Sequence, residues 1–223
     1  MRERIAQACA AAHRPPVSVR LLAASKTFSA DRVREAAAAG QHDFGENYLQ
    51  EGVEKIDATR DLPLTWHFIG PIQSNKTRPI AERFDWVHSV DREKIARRLS
   101  EQRPAGQDPL QACIEVNVSG EASKSGVAPA NVLALAKCIT GLPGLRLRGL
   151  MAIPEPTDDM ALQRRRFAVL RELQRELQEA LAQEGVVLDT LSMGMSADLE
   201  AAVAEGATMV RVGTAIFGER AKT

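Results

Sequence analysis

The sequence predicts an α/β fold, a single (β/α)8 TIM barrel with an extra N-terminal helix, from three observations. Eight segments of strand character alternate with segments of helical character. The 223 residues are close to the usual size of such a barrel. Turns rich in glycine and hydroxyl side chains follow the last two strand segments, where barrels often place a phosphate site. A doubly wound open sheet gives much the same alternation, so strand count alone does not separate the two.

The strand segments are 19–25, 42–45, 65–70, 86–90, 110–118, 145–153, 190–194 and 209–217. Helical segments lie between them at 30–39, 48–58, 75–83, 92–102, 130–140, 160–183 and 197–204, after an N-terminal helix at about 3–12. The clearest helix is 160–183. Phe167, Leu170, Leu173, Leu177 and Leu181 recur at three- and four-residue steps, with Arg164, Arg165, Arg171, Arg175 and Glu179 on the wet side. Thr157 and Asp158 suit its N-terminal cap, and Gly185 its stop. No low-complexity stretch or long linker divides the chain, so residues 1–223 read as one domain.

Hydrophobic residues make up 44% and charged residues 26%, ordinary for a soluble globular protein. Basic and acidic side chains number 29 each, so no net field favours nucleic acid or a membrane as partner. Cys9, Cys113 and Cys138 are widely spaced without a CxxC pair, which argues against a disulfide framework or a metal site and fits reduced thiols. The opening MRERIAQACAAAHRPP is charged from its second residue and lacks the apolar core of a signal peptide. No apolar run approaches the ~18 residues of a membrane span. The expected location is the cytoplasm.

Lys26 closes the apolar run Val19-Arg-Leu-Leu-Ala-Ala-Ser-Lys-Thr27, just before a helix capped by Ser29 and Asp31. Period-two alternation puts Leu22, Ala24 and Lys26 on one face, with small Ala24 leaving room for the lysine stem. Chemistry in barrels sits at the C-terminal strand ends. Burial disfavours an ammonium, and a neutral amine is what condenses with an aldehyde. On its own residues, a lone lysine here reads first as a solvated cation at a strand–helix junction, since buried lysines are uncommon.

Ser192-Met-Gly-Met-Ser196 ends the seventh strand segment and leads into a helix, and Val212-Gly-Thr-Ala-Ile-Phe-Gly218 ends the eighth. Ser192, Ser196, Gly213 and Thr214 offer hydroxyls and closely approachable backbone N–H groups, the donors a phosphate needs. Neither GxxxxGK[ST] nor GxGxxG is present, which weakens nucleotide readings. Arg211 is a charge within an apolar strand, on one face with Met209 and Gly213. If that face points inward it needs a partner, either a ligand atom or an internal acceptor.

Together the motifs resemble the YggS/PROSC family of pyridoxal 5′-phosphate (PLP) homeostasis proteins. The matching stretches are Ala24-Ser-Lys-Thr27, Phe44-Gly-Glu-Asn-Tyr48, Trp66-His-Phe-Ile-Gly-Pro-Ile-Gln-Ser-Asn-Lys76, Glu115-Val-Asn-Val118, Gly149-Leu-Met151, Ser192-Met-Gly-Met-Ser196 and Met209-Val-Arg-Val-Gly-Thr-Ala-Ile-Phe-Gly218. They run in order along nearly the whole chain. The resemblance implies a fold-type III barrel, like the N-terminal domain of alanine racemase, holding PLP as a Schiff base on Lys26. It assigns the phosphate to Ser192, Gly213 and Thr214 with Ser196 or nearby backbone, and the pyridine nitrogen to Arg211. It also places Asn47, Met151 and His67 around the cofactor. Lys124 resembles a family lysine near the pocket entrance, although by its own residues it is a solvated loop lysine. Where the family sometimes carries a second lysine after the first, this chain has Phe28. His42 and Tyr48 read as packing or rim residues.

The resemblance implies a non-catalytic carrier that buffers PLP and passes it to PLP-dependent apoenzymes, expected as a monomer. The alternative is an amino-acid racemase or decarboxylase of the same fold. Tyr48 is the sole tyrosine, and 223 residues leave no room for the added domain by which such racemases supply a catalytic tyrosine. A third reading, a class I aldolase-type barrel without PLP, needs an acid or base beside Lys26, and Glu46 is the nearby residue that would serve.

Overall fold

A computed structural model describes residues 1–121 and 124–218. Its strands are β1 (Arg20–Ala24), β2 (Asp43–Glu46), β3 (Thr65–Phe68), β4 (Trp86–Val90), β5 (Leu110–Glu115), β6 (Leu145–Met151), β7 (Thr190–Ser192) and β8 (Met209–Val212). All pair in parallel and in sequence order. The last returns to the first, from Arg20 opposite Met209 to Ala23 opposite Val212, which closes the sheet. The expected barrel is therefore present and the open sheet is excluded.

The helices are α1 (Arg2–Ala11), α2 (Ala30–Ala38), α3 (Leu49–Ala58), α4 (Thr77–Arg83), α5 (Glu93–Gln102), α6 (Val132–Thr140), α7 (Met160–Ala180), α8 (Leu199–Ala204) and the single turn α9 (Thr214–Phe217). α1 is the extra helix. It packs on α8, with Ile5, Ala8 and Cys9 buried and Arg4 paired to Glu200. Alternation along each strand sorts the side chains. Phe44, Trp66, Phe68, Val87, Ile114, Leu150 and Val212 join the main core beneath the helices. Leu22, Ala24, Ile69 and Met209 meet in a separate cluster inside the barrel, and Trp86, Cys113 and Met151 in another.

Three expectations about element ends are corrected. The eighth strand stops at Val212 rather than 217, because β1 ends at Ala24 and leaves no partner further on. The chain turns into α9, whose Phe217 ring stacks on Phe28 at 4.9 Å. The fifth strand ends at Glu115, followed by an isolated pairing of Val116 with Val127. Helix α7 is capped by Asp159, not Thr157 or Asp158. Its carboxylate accepts from the N–H groups of Ala161 and Leu162, while the Thr157 hydroxyl accepts from Asp159 N. Gly185, in the left-handed region at φ 68°, does end the helical stretch, after a 3-10 turn at Ala182–Glu184. Nor is the arginine cluster of α7 simply solvated. Arg164 and Arg171 grip the buried carboxylate of Glu205, and Arg166 pairs with Glu155.

Phe167, Leu170, Leu177 and Leu181 are buried as the helical period requires. Phe167→Ala is expected to lower stability by about 3–5 kcal/mol in urea unfolding, from lost transfer energy and the cavity left behind. Val169→Ala, on the half-exposed side of the same helix, is expected to change it by less than about 1 kcal/mol.

Candidate functional site

The C-terminal strand ends surround a cavity of about 300 Å³, lined by Ala24, Lys26, Asn47, Ile69, Ile153, Met195, Ser196, Ala197, Arg211, Gly213 and Thr214. This is the lower end of the size range of small-molecule sites. Apolar side chains form one wall and a few polar groups converge on it. Six residues singled out from the sequence meet here: Lys26, Asn47, Ser196, Arg211, Gly213 and Thr214. Ser192, His67 and Met151 do not line it. They lie fully buried one level deeper in the barrel.

Lys26 is half-buried, and its turn is held on both sides. Before it, the Ser25 hydroxyl donates to Glu46 Oε1 at 2.6 Å. After it, Thr27 takes a left-handed conformation at φ 68°, a strain on the order of 1–2 kcal/mol for a residue with a Cβ. Its N–H donates to Glu51 Oε2 at 2.9 Å. Buried Lys55 ties the two sides, donating to Ser25 O and Glu46 Oε1 at 2.8 Å each and pairing with Glu51 at 3.4 Å. Lys55, Glu46 and Glu51 were not anticipated as supports. Their signal in the sequence is faint, a lysine and a glutamate at i,i+4 on α3. Glu46 therefore faces α3 rather than the cavity, with its carboxyl raised by burial against the pull of Lys55 and Ser25.

Arg211 enters from β8 and is 5% exposed. Nη1 donates to Ser192 O at 2.6 Å and Ser192 Oγ at 2.7 Å, and Nη2 donates to Ala152 O at 2.9 Å. Three of its five N–H donors are thus committed, and two remain among the described residues. Burial lowers its pKa to about 10, so it stays a cation at neutral pH. Of the two partners the sequence left open, the internal acceptors are present in Ser192 and Ala152, and Arg211 also lines the cavity.

The turn after β8 is shaped by Gly213, where a Cβ would sit 3.0 Å from Ala24 O. Beyond it, the first N–H groups of α9 have no partner within the turn and stand beside the Thr214 hydroxyl. After β7, Gly194 at φ 93° passes so close to Ala202 that a Cβ there would sit 2.5 Å from the Ala202 Cβ. The helix expected from residue 197 starts only at Leu199, and Ser196 belongs to a turn in which Met195 N donates to Asp198 Oδ1 at 2.6 Å. On the opposite side, Asn47 Oδ1 is buried without a hydrogen-bond partner among the described residues. An unmet buried amide oxygen costs about 1–3 kcal/mol, and this one belongs to a residue that lines the cavity. Tyr48 points away, 55% exposed at the start of α3.

Such a constellation, one lysine and one arginine at the mouth of a closed parallel barrel together with turns that offer hydroxyls and backbone N–H groups, defines a (β/α)8 barrel protein with a candidate ligand site at that mouth. The chain belongs to the family of the alanine racemase N-terminal domain, which it matches over residues 1–221. It is 65% identical over 217 residues to the pyridoxal phosphate homeostasis protein of Pseudomonas aeruginosa, across 97% of this chain and 91% of that protein. PipY of Synechococcus elongatus, solved with PLP bound, superposes with a TM-score of 0.83 at 42% identity, over 96% of this chain and all of that one (100%). Alanine racemase of Corynebacterium glutamicum, at 16% identity and a TM-score of 0.69, is a likeness of fold alone and extends further, 62% of it being matched. The resemblance noted from the motifs is borne out.

At the end of β5, buried Glu115 has its carboxyl pushed up to about 7 by burial, then by Asp91, with Arg211 opposing. Its folded form thus holds a proton that the unfolded chain releases, so its contribution to stability is full at low pH and is lost as pH rises from about 4.5 to about 7. In the ligand-free protein, Glu115→Gln is expected to gain on the parent by roughly 2–3 kcal/mol across that interval and to hold level above it. A pH-independent difference in denaturant unfolding would show that Glu115 ionises as an exposed carboxylate.

Proposed function

We propose that the chain binds PLP at this mouth, covalently through Lys26, and serves intracellular PLP homeostasis as a carrier and buffer. The observation that carries the reading is the meeting of Lys26, Arg211 and the Gly213–Thr214 turn around one cavity. Relatives named for PLP homeostasis, and a relative solved with PLP, support it.

PLP, when bound, supplies an electrophilic aldehyde, a pyridine nitrogen and a phosphate. The groups present fit all three. Lys26 would hold the cofactor covalently, its amine being the nucleophile that condenses with an aldehyde with loss of water. The two uncommitted N–H donors of Arg211 suit the lone pair of the ring nitrogen. A guanidinium holds its proton, so Arg211 donates a hydrogen bond there without protonating the ring. The N–H groups opening α9, the Thr214 hydroxyl and Ser196 suit the phosphate oxygens. Ser192, with its hydroxyl on Arg211, acts one step back from the ligand. Asn47 finds in the 3-hydroxyl the partner its amide lacks.

A carrier fits better than a racemase or decarboxylase. Lys26 and Arg211 are the titratable side chains lining the cavity, and Arg211 does not exchange its proton near neutrality. Two-base racemisation needs proton-transfer groups on both faces of the substrate carbon, and this wall offers one. The aldolase reading loses Glu46, which faces α3. No helix among the described residues is long and apolar enough to cross a membrane. We place the protein in the cytoplasm, as a monomer that hands PLP to apoenzymes.

Titration with PLP is expected to give a yellow protein with saturable visible absorbance. Lys26→Ala abolishes that band and weakens retention at least tenfold, about 1.4 kcal/mol. Arg211→Ala keeps the band but loses about tenfold in affinity, the scale of a lost charged hydrogen bond. A Lys26→Ala protein as yellow as its parent would refute the assignment. Incubation with single enantiomers of alanine, serine or lysine is expected to show no turnover on the scale of ~1 s⁻¹.

A further inference from the structure

Below the cavity a line of buried side chains crosses the barrel from Arg211 to Asp43. Arg211 Nη1 donates to Ser192 Oγ at 2.7 Å. Ser192 Oγ lies 2.8 Å from His88 Nδ1, His88 Nε2 lies 2.9 Å from His67 Nδ1, and His67 Nε2 lies 3.0 Å from Asp43 Oδ1. Both imidazoles are fully buried. The line thus runs through β8, β7, β4, β3 and β2, and ends at the opposite mouth, where Asp43 is partly open to solvent.

The two ends have fixed roles. A guanidinium only donates and a carboxylate only accepts, whereas a neutral imidazole does one of each. His67 must therefore donate from Nε2 to Asp43, which makes its Nδ1 an acceptor. His88 then has to donate from Nε2, so its Nδ1 accepts. Ser192 is left to donate to His88 while accepting from Arg211. Every link points the same way, and no donor or acceptor along the line is left over. An added proton on His67 would break this order. His67 would donate to His88, the His88 tautomer would turn over, and Ser192 would accept from both neighbours with its own hydrogen stranded.

We propose that His67 and His88 are positioning residues for Arg211: as neutral Nε2–H rings they carry a one-way chain of donors from Arg211 through Ser192 to Asp43, and so fix how the guanidinium faces the cavity. The charged groups facing the rings are Asp43, Arg20, Asp85 and Arg211. Burial, the largest influence on both, favours the neutral form, and Asp43 and Asp85 are the acids that oppose it at His67. The consequence for PLP rests on the reading of the mouth as its site. The tautomers do not.

The chain contains four histidines, so long-range proton–nitrogen correlation of the 15N-labelled, ligand-free protein resolves each ring, with His67→Gln and His88→Gln used for assignment. Both buried rings are expected as Nε2–H tautomers near neutral pH. A charged His67, or an Nδ1–H tautomer at His88, would overturn the proposal. In the PLP-loaded protein, His88→Phe breaks the chain, and is expected to shift the visible absorption maximum and weaken PLP retention about tenfold. His88→Gln keeps one donor and one acceptor and is expected to stay nearer the parent in both. Equal behaviour of the two variants would contradict a positioning role. Tautomers as assigned in a protein that takes up no PLP would sink the cofactor reading and leave the chain standing.

Discussion

Arg211 is a permanent cation carried on a central strand into the interior of a closed sheet, and much of the polar structure there is arranged around it. A buried guanidinium without partners would cost several kcal/mol. Ser192 and Ala152 meet three of its donors, and the line of histidines behind Ser192 ends on the negative charge of Asp43. At the opposite mouth Arg20 and Arg148 stand over the Trp86 ring at 5.2 and 5.1 Å, with Arg148 paired to Asp189. The barrel interior is thus a polar network between two apolar clusters, and Ala24 and Ile69 of the first also line the cavity.

Around that fixed arginine, each other element of the site is held by its own support. The Lys26 turn is clamped by Lys55, Glu46 and Glu51, groups that face away from the cavity. The proposed anion donors come from two turns whose paths depend on Gly194 and Gly213. Phe28 stacks on Phe217 and ties the Lys26 turn to α9. Its role is to join the amine side of the mouth to the proposed phosphate side, and no second amine stands at that position.

Much of this was legible in the sequence because strand periodicity is strict. Period two set Leu22, Ala24 and Lys26 on one face and Met209, Arg211 and Gly213 on another, and the structure turns both inward. Strand ends were harder to read. Ile216 and Phe217 have the composition of a strand, but with β1 already ended they had no partner and coiled into α9. The roles of Ser192, His67 and Glu46 were hidden for a related reason. Whether a serine meets phosphate or arginine, or a histidine meets a cofactor or another histidine 21 residues on, depends on contacts across strands that no local pattern encodes.

The central claim is that one amine, at the end of β1, takes the aldehyde. Borohydride reduction of the PLP-saturated protein followed by peptide mass mapping tests it most directly. The account predicts a single pyridoxyl phosphate adduct, on the peptide containing Lys26. An adduct found instead on Lys55, Lys76 or Lys124, with Lys26 unmodified, would contradict it.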